Sequence, residues 1–291
     1  MQQFDLDNLS AYKTWREQKL ANYPTDVNQL VVSVQNPVKL SGSEMVKIKD
    51  CIDKANMVVY ESPYVELSKI ELHRFAQQFG LERFDKHLYA DQGVSEISIS
   101  KERRQGEFIP YTDKGLKWHT DGYYSYDGNW VASIVLHCIE AAEAGGINQL
   151  LDPEILYLYI RDADPRFTKA LMSEDALTIP GFKDKQGNGR DDSTGPVFWF
   201  TPEGDLQMRY TQRSTNIDWK TDSCLDDARS LINELLLEGK GVFTHKLKPG
   251  QGLLSNNVLH NRSAFTEKNS ARRLLRARYL DRIKFKEESM E

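Results

Sequence analysis

The chain has 291 residues, 40% of them hydrophobic, and a formal net charge of −5, which supplies a sizeable core but no basic footprint for nucleic acid. Cys51, Cys138 and Cys224 are too few and too scattered for a disulfide framework or a zinc finger. With no apolar leader and no run near the ~18 apolar residues of a membrane span, the expectation is a cytoplasmic protein acting on a small molecule, with a homo-oligomer left open.

The first ninety residues alternate helical and short extended patterns, and read as a buttress to the remainder of the chain. Ala11 to Leu20 is a polar helix. Ser41 and Ser43 cap a second, carrying Val46, Ile48, Ile52 and Met57, and Leu72, Phe75 and Phe79 repeat the spacing. Leu30 to Val34 and Val58 to Tyr60 read as strands. From Val94 onward strand patterns dominate: Glu96 to Ser100, Val131 to Ile139, Val197 to Phe200, Leu206 to Tyr210, Val242 to Leu247, Leu253 to Leu259 and Leu274 to Leu280. Two helical stretches interrupt them, Pro153 to Met172 (in two pieces around Pro165) and Leu225 to Leu236. The expectation is one catalytic domain, mostly β with flanking helices, a double-stranded β-helix (jelly roll, cupin-like) over residues 91–283 behind the buttress of residues 1–90.

Among the six histidines, His119 stands out because Asp121 follows two positions later. In an extended segment residues two apart share a face, so an imidazole and a carboxylate can grip one ion while a third ligand arrives from elsewhere. Two histidines and one carboxylate on one face of an octahedron leave three positions open, the set used by non-haem iron oxygenases.

The stretch KWHTDGYYSYDGNWVASIVLHCIEAAEAGGINQLLD resembles the taurine dioxygenase (TauD/TfdA-like) superfamily, in detail the branch of gamma-butyrobetaine and trimethyllysine hydroxylases. The features that carry the likeness are His119-Thr120-Asp121, Leu136-His137-Cys138, Gly145-Gly146 and Leu151-Asp152. Downstream, NNVLHNRSAFTEKNSARRLLRARYLD resembles the same family's second signature through His260, Arg262, Phe265, Arg273 and Tyr279. The resemblance implies iron(II) held by His119, Asp121 and His260, with 2-oxoglutarate and oxygen as co-substrates. It implies release of succinate and carbon dioxide coupled to hydroxylation or desaturation of an unactivated C–H bond. Asp121 speaks against halogenation, since halogenating relatives lack that carboxylate.

The family pattern maps onto Arg273, Leu275, Ala277 and Tyr279, which makes Arg273 the expected partner of the distal carboxylate of 2-oxoglutarate. Strand parity then sends Arg276 and Arg278 to the opposite face, a solvated or ion-paired sheet surface, with Arg276 kept as a second candidate. Asn148 replaces the Thr or Ser that relatives carry two positions after Gly145-Gly146; its amide can donate the same hydrogen bond. His137 is expected to be a satisfied core residue, His73 and His87 to lie in charged helical surroundings, and His245 on a strand. Tyr123, Tyr124, Trp199 and Arg209 are the candidate substrate contacts, for an amino acid, betaine or similar carboxylate. Two other readings of the residues stay open, a zinc-dependent hydrolase with the same three ligands and a non-catalytic metabolite-binding member of the fold.

Overall fold

The computed structural model describes residues 2–85, 90–100, 108–126, 128–183, 189–268 and 271–285. These fall into two compact units, each assembled from separate stretches of chain. Strands outnumber helices, as the patterning predicts, and among the described residues no helix is long and apolar enough to cross a membrane.

The unit formed by the described residues of Pro24–Asp121, Val131–Leu150 and Phe243–Glu291 carries the larger sheets. Six strands lie in the order Val31–Ser33, Met57–Glu61, Gln251–Ser255, Ser133–Glu140, Arg273–Tyr279, Val94–Ile97. The first two run parallel and the other neighbours antiparallel. One face of this sheet is clad by the helix Lys69–Gln77: the Tyr60 ring lies 4.5 Å from Phe75, and His73 Nδ1 is 2.8 Å from the Tyr279 hydroxyl. That helix begins at Ser68, whose side chain and that of Glu71 cap each other's backbone N–H groups. A second sheet runs Phe243–His245, Asn148–Leu151, Leu259–Arg262, Leu116–His119.

The expected strand from Leu253 to Leu259 is two strands, one in each sheet. Asn257, at φ 46°, breaks it. A left-handed residue reverses the chain, and asparagine tolerates that conformation better than most. Leu253 and Leu254 on one side of the turn and Val258 and Leu259 on the other are all buried, so both flanks read as strand while Ser255-Asn256-Asn257 between them makes the turn.

The unit formed by the described residues of Met1–Tyr23, Gly122–Trp130 and Leu151–Val242 holds the helices Leu9–Asn22, Pro153–Ala163, Pro165–Leu171 and Ser223–Glu238. Pro165 divides the central pair as expected, because proline cannot continue a helix but suits a first turn, and Asp164 caps the second piece. Lys19, 7% exposed, reaches from Leu9–Asn22 to Asp152 Oδ2 at 2.7 Å and Glu154 Oε2 at 2.6 Å. Small antiparallel sheets complete the unit: Leu177–Ile179 between Ser193–Gly195 and Asp218–Trp219, and the hairpin Phe198–Phe200 with Leu206–Met208.

Candidate metal centre

His119 and His260 are directly opposed partners on adjacent antiparallel strands, Leu116–His119 and Leu259–Arg262, and their ring centroids lie 4.3 Å apart. Each imidazole is oriented by its own strand. His119 Nδ1 lies 2.8 Å from the Lys117 carbonyl and His260 Nδ1 2.8 Å from the Val258 carbonyl, so an N–H at Nδ1 donates to the backbone and leaves Nε2 as the lone-pair nitrogen. Burial, then the field of His260, pushes the His119 pKa down to about 3, so the ring is neutral near pH 7, the form that binds a metal.

Asp121 does not share the strand with His119. The strand ends at His119, and Asp121 opens the turn beyond it. Its place is fixed by Asn257, the left-handed residue between the two sheets. Asn257 Nδ2 donates to the Asp121 and Val131 carbonyls at 2.9 and 2.7 Å, and its Oδ1 accepts from the Asp121 N–H at 2.8 Å. Burial would raise the Asp121 pKa, but Arg276, then Arg278 and the histidines, hold the carboxyl well below the usual carboxylate range. Arg276 Nη1 lies 3.3 Å from either carboxylate oxygen.

One ligand atom from each of His119, Asp121 and His260 can be chosen so that all lie within 4.8 Å of one another. Asp121 Oδ2 is buried and makes no hydrogen bond. Two imidazoles, that of His119 neutral, and an ionised, under-satisfied carboxylate form the donor set of a divalent metal with open positions, so the residues present fit iron(II).

The face of the strand Arg273–Tyr279 that meets this site is the reverse of the expected one. Leu275, Ala277 and Tyr279 share the face clad by the helix Lys69–Gln77, whereas Arg276, at 11% side-chain exposure, faces Asp121. Arg278 is buried and paired with Asp85. Both arginines are ion-paired, one of the two readings expected of them, but on the inward, even-numbered face and not at a solvated surface. Arg273 stands at the strand's first residue, 39% exposed along its side chain and bonded to Glu66 Oε1 at 2.6 Å.

Arg272, one residue earlier, is the arginine buried beside the Gly145-Gly146 turn. It is 5% exposed, its Nη1 is buried without a hydrogen bond, and its guanidinium stacks 5.1 Å from the Phe265 ring centre. The turn itself calls for the two glycines. Both have positive φ; a Cβ on Gly145 would lie 2.0 Å from the Ala264 carbonyl, and one on Gly146 3.6 Å from Arg272 Nε. Asn148 begins the next strand, half-buried and opposite His245.

The remaining histidines differ in kind. His137 is buried between the Tyr60 hydroxyl at 3.1 Å and the Val65 carbonyl at 2.9 Å, a satisfied core residue as expected. His73 bridges Tyr279 and the Gln92 carbonyl, and His245 lies 3.0 Å from Gln251 Oε1. His87 lies outside the described residues.

Of the candidate substrate contacts, Arg209 is corrected. It is 1% exposed, and its guanidinium donates to the carbonyls of Leu177, Ser193 and Gly195. That arrangement ties together strands of the helical unit and leaves it no solvent-facing fork for a ligand. Trp199 packs edge-on against Tyr126 and Trp130, with ring centroids 5.3 and 5.7 Å away. Tyr123 and Tyr124 stack edge-to-face at 5.5 Å, and the Tyr123 hydroxyl accepts from Arg213 Nη1 at 2.9 Å.

Residues 19–278 match the model of the taurine catabolism dioxygenase TauD, TfdA family. The chain belongs to that family. It thereby joins the Fe(II)- and 2-oxoglutarate-dependent dioxygenases, whose cofactor is iron(II) and whose co-substrates are 2-oxoglutarate and oxygen. Two curated relatives are both named uridine-5′-phosphate dioxygenase. The one from an Amycolatopsis species is 31% identical over 181 residues, 58% of this chain and 62% of the relative, so the match spans somewhat less than two thirds of that protein. The one from a Streptomyces species is 26% identical over 242 residues, 78% of this chain and 85% of the relative. Among solved structures, AAD-2 in complex with Mn(II) and N-oxalylglycine shares the fold with a TM-score of 0.62 at 14% identity, over 86% of this chain and 93% of that one. The TauD/TfdA expectation thus holds at the level of the family, while these relatives carry a different name from the gamma-butyrobetaine and trimethyllysine branch.

Proposed function

We propose that the protein is an iron(II)- and 2-oxoglutarate-dependent oxygenase that hydroxylates or desaturates an unactivated C–H bond of a small phosphate-bearing metabolite, a nucleoside 5′-phosphate of the uridine 5′-phosphate kind. The observation that carries the reading is the convergence of His119, Asp121 and His260 with Arg272 buried in the same unit and its Nη1 unbonded. When bound, iron(II) would let oxygen act as the oxidant, with two electrons taken from 2-oxoglutarate, which leaves as succinate and carbon dioxide, and two from the substrate C–H bond.

The protein's part is to hold and orient. His119, Asp121 and His260 hold the metal. Arg272 replaces Arg273 as the partner of the distal carboxylate: an unpaired guanidinium in a dry site costs several kcal/mol unless a carboxylate answers it, and the planar fork suits that carboxylate. Arg276 holds Asp121 ionised, and its unbonded Nε lies on the same sheet face, within the chemistry of a carboxylate carried by the metal. The two sheets of this unit agree with a jelly roll. A zinc hydrolase would use the same three ligands but gives Arg272 no task.

Support for a phosphate-bearing substrate, in place of the expected amino acid or betaine, comes from the names of the two curated relatives. The test has two stages. Iron(II) and 2-oxoglutarate added together under anaerobic conditions should give a visible charge-transfer band that either alone does not, and Arg272→Ala should lose it while Arg273→Ala keeps it. Succinate should then form faster with uridine 5′-phosphate than with uridine, taurine or gamma-butyrobetaine. No band under any condition would sink the oxygenase reading, and equal succinate with all four compounds would sink the substrate.

A further inference from the structure

Arg262 is a buried cation whose hydrogen bonds all go to backbone. It is 4% exposed, and among the described residues no carboxylate lies within ion-pairing distance of its guanidinium. Nη1 donates to the Pro110 carbonyl at 3.4 Å, and Nη2 to the Thr112 and Lys114 carbonyls at 2.9 and 2.5 Å. Those three acceptors belong to the segment that leads into the strand Leu116–His119. The Phe265 N–H adds another tie to the same segment, at the Asp113 carbonyl 3.0 Å away, and the Phe265 ring centre lies 4.8 Å from the guanidinium. All of these residues lie in one compact unit with His119, Asp121 and His260.

This clamp adjoins a fault in the ladder. His260 pairs with His119 and Arg262 with Leu116, so a step of two positions on one strand meets a step of three on the other. Lys117 and Trp118 therefore share the place opposite Asn261, which is a β-bulge. A bulge bends its strand and re-aims the side chains next to it. The Lys117 carbonyl, inside the bulge, lies 2.8 Å from His119 Nδ1, the contact that orients that imidazole. The surplus residue is held between two fixed ends. Beyond His119, the Asn257 amide bonds the N–H and the carbonyl of Asp121; before Leu116, Arg262 fixes the entering segment. With the entering end free, the ladder could become regular by sliding that segment one residue, and such a slide exchanges the faces of a strand. Lys117 would then stand opposite Arg262, and the bulge that presents its carbonyl to His119 would be gone.

We propose that Arg262 is a positioning residue for the metal centre. By holding the carbonyls of Pro110, Thr112 and Lys114 it keeps the bulge at Lys117 and Trp118, and through the bulge the His119 imidazole, in place. Its charge makes these bonds stronger than neutral ones, and the segment cannot slide without leaving a buried cation bare. The inference rests on His119, Asp121 and His260 being the metal site.

The test uses the full chain stripped of metal, to which iron(II) or cobalt(II) is added under nitrogen. Arg262→Met should weaken iron(II) binding about ten- to a hundredfold, the usual loss when a group that orients a ligand is removed. Its cobalt(II) visible spectrum should move toward that of His119→Ala, because an ill-placed imidazole changes the ligand set, whereas a fold that is only less stable keeps the wild-type spectrum. Arg262→Lys keeps the charge and reaches some of the carbonyls, so it should recover part of the affinity; it also carries the test if Arg262→Met does not fold. Lys19→Met is the control, since it breaks a buried ion pair in the other unit and should bind iron(II) as the wild type does. Wild-type iron affinity and a wild-type cobalt spectrum in the folded Arg262 variants overturn the positioning role while the metal site stands. So does an equal loss of affinity in Lys19→Met, because affinity would then follow general stability. A wild-type chain that binds neither ion removes the metal site itself, and the role of Arg262 with it.

Discussion

Asn257 connects the metal-ligand turn to the break between the sheets. Its side chain makes three buried hydrogen bonds, two of them to the backbone of Asp121, and its backbone is left-handed at φ 46°. Removing the amide loses those bonds, and alanine adds the backbone strain that asparagine avoids. Groups that orient ligands in this way typically contribute ten- to a hundredfold in metal affinity. Asn257→Gly, which keeps the backbone at ease, should therefore weaken iron(II) binding about tenfold or more, and Asn257→Ala should add a stability loss of about 1 kcal/mol or more. Both are read by anaerobic iron titration and by denaturant melts. Wild-type iron affinity in Asn257→Gly would show that the turn holds Asp121 without its help. The candidate iron ligands stand out in the sequence because His119 and Asp121 lie two apart and His260 sits inside a distinctive segment. Asn257 is not, since one asparagine of an Asn-Asn pair carries no sign that its amide reaches a residue far back in the chain.

At the scale of elements, the errors arise where the local signal does not fix which face is buried. The expected parity of the last strand placed Arg273 inward, but the even-numbered Arg276 and Arg278 are the residues that face Asp121. A choice of parity wrong by one exchanges the two faces of a strand, which moves the proposed co-substrate arginine from Arg273 to Arg272. Leu253 to Leu259 reads as one strand although Ser255-Asn256-Asn257 interrupts it with turn-forming residues, a weaker signal than the Pro165 break, which announces itself by residue type. The helices are the more predictable elements, because caps such as Ser68 and Asp222 are local signals. Lys19 is less so. By sequence it is an ordinary lysine on a polar helix, yet it is buried against Asp152 and Glu154. Asp152 is fully buried and also caps the helix Pro153–Ala163 through the Glu154 N–H at 2.9 Å. Taking away the lysine leaves a buried carboxylate uncompensated, a change worth about 3–5 kcal/mol. Lys19→Met should lower unfolding free energy by that order, and adding Asp152→Asn, which keeps a capping oxygen, should restore part of it. A Lys19→Met protein as stable as wild type in denaturant would mean that the ion pair is solvated in practice.

For the molecule as a whole, the question is what the metal contributes to folding. The sheets that carry the site are built on apolar side chains such as Val58, Ile134, Val135, Leu254 and Leu259, each buried. The site itself concentrates like charge and crowding: two imidazoles at 4.3 Å, and Arg276 and Arg278 around one carboxylate. The apo-protein is therefore expected to unfold cooperatively, unlike small zinc domains that collapse when stripped. Iron(II) should stabilise it only by mass action, about 2.7 kcal/mol at a hundredfold excess over Kd, or about 5 °C in Tm for a chain of this size. His119→Ala should abolish that increment while leaving the apo Tm within a few degrees of wild type, because it removes a ligand that burial already keeps uncharged. Calorimetry of wild type and His119→Ala, each with a chelator and with excess iron(II) under nitrogen, makes the comparison. A chelated wild type without a cooperative transition would show that the metal is part of the fold. An iron-dependent rise in Tm that survives in His119→Ala would place the ion elsewhere, on ligands other than these three.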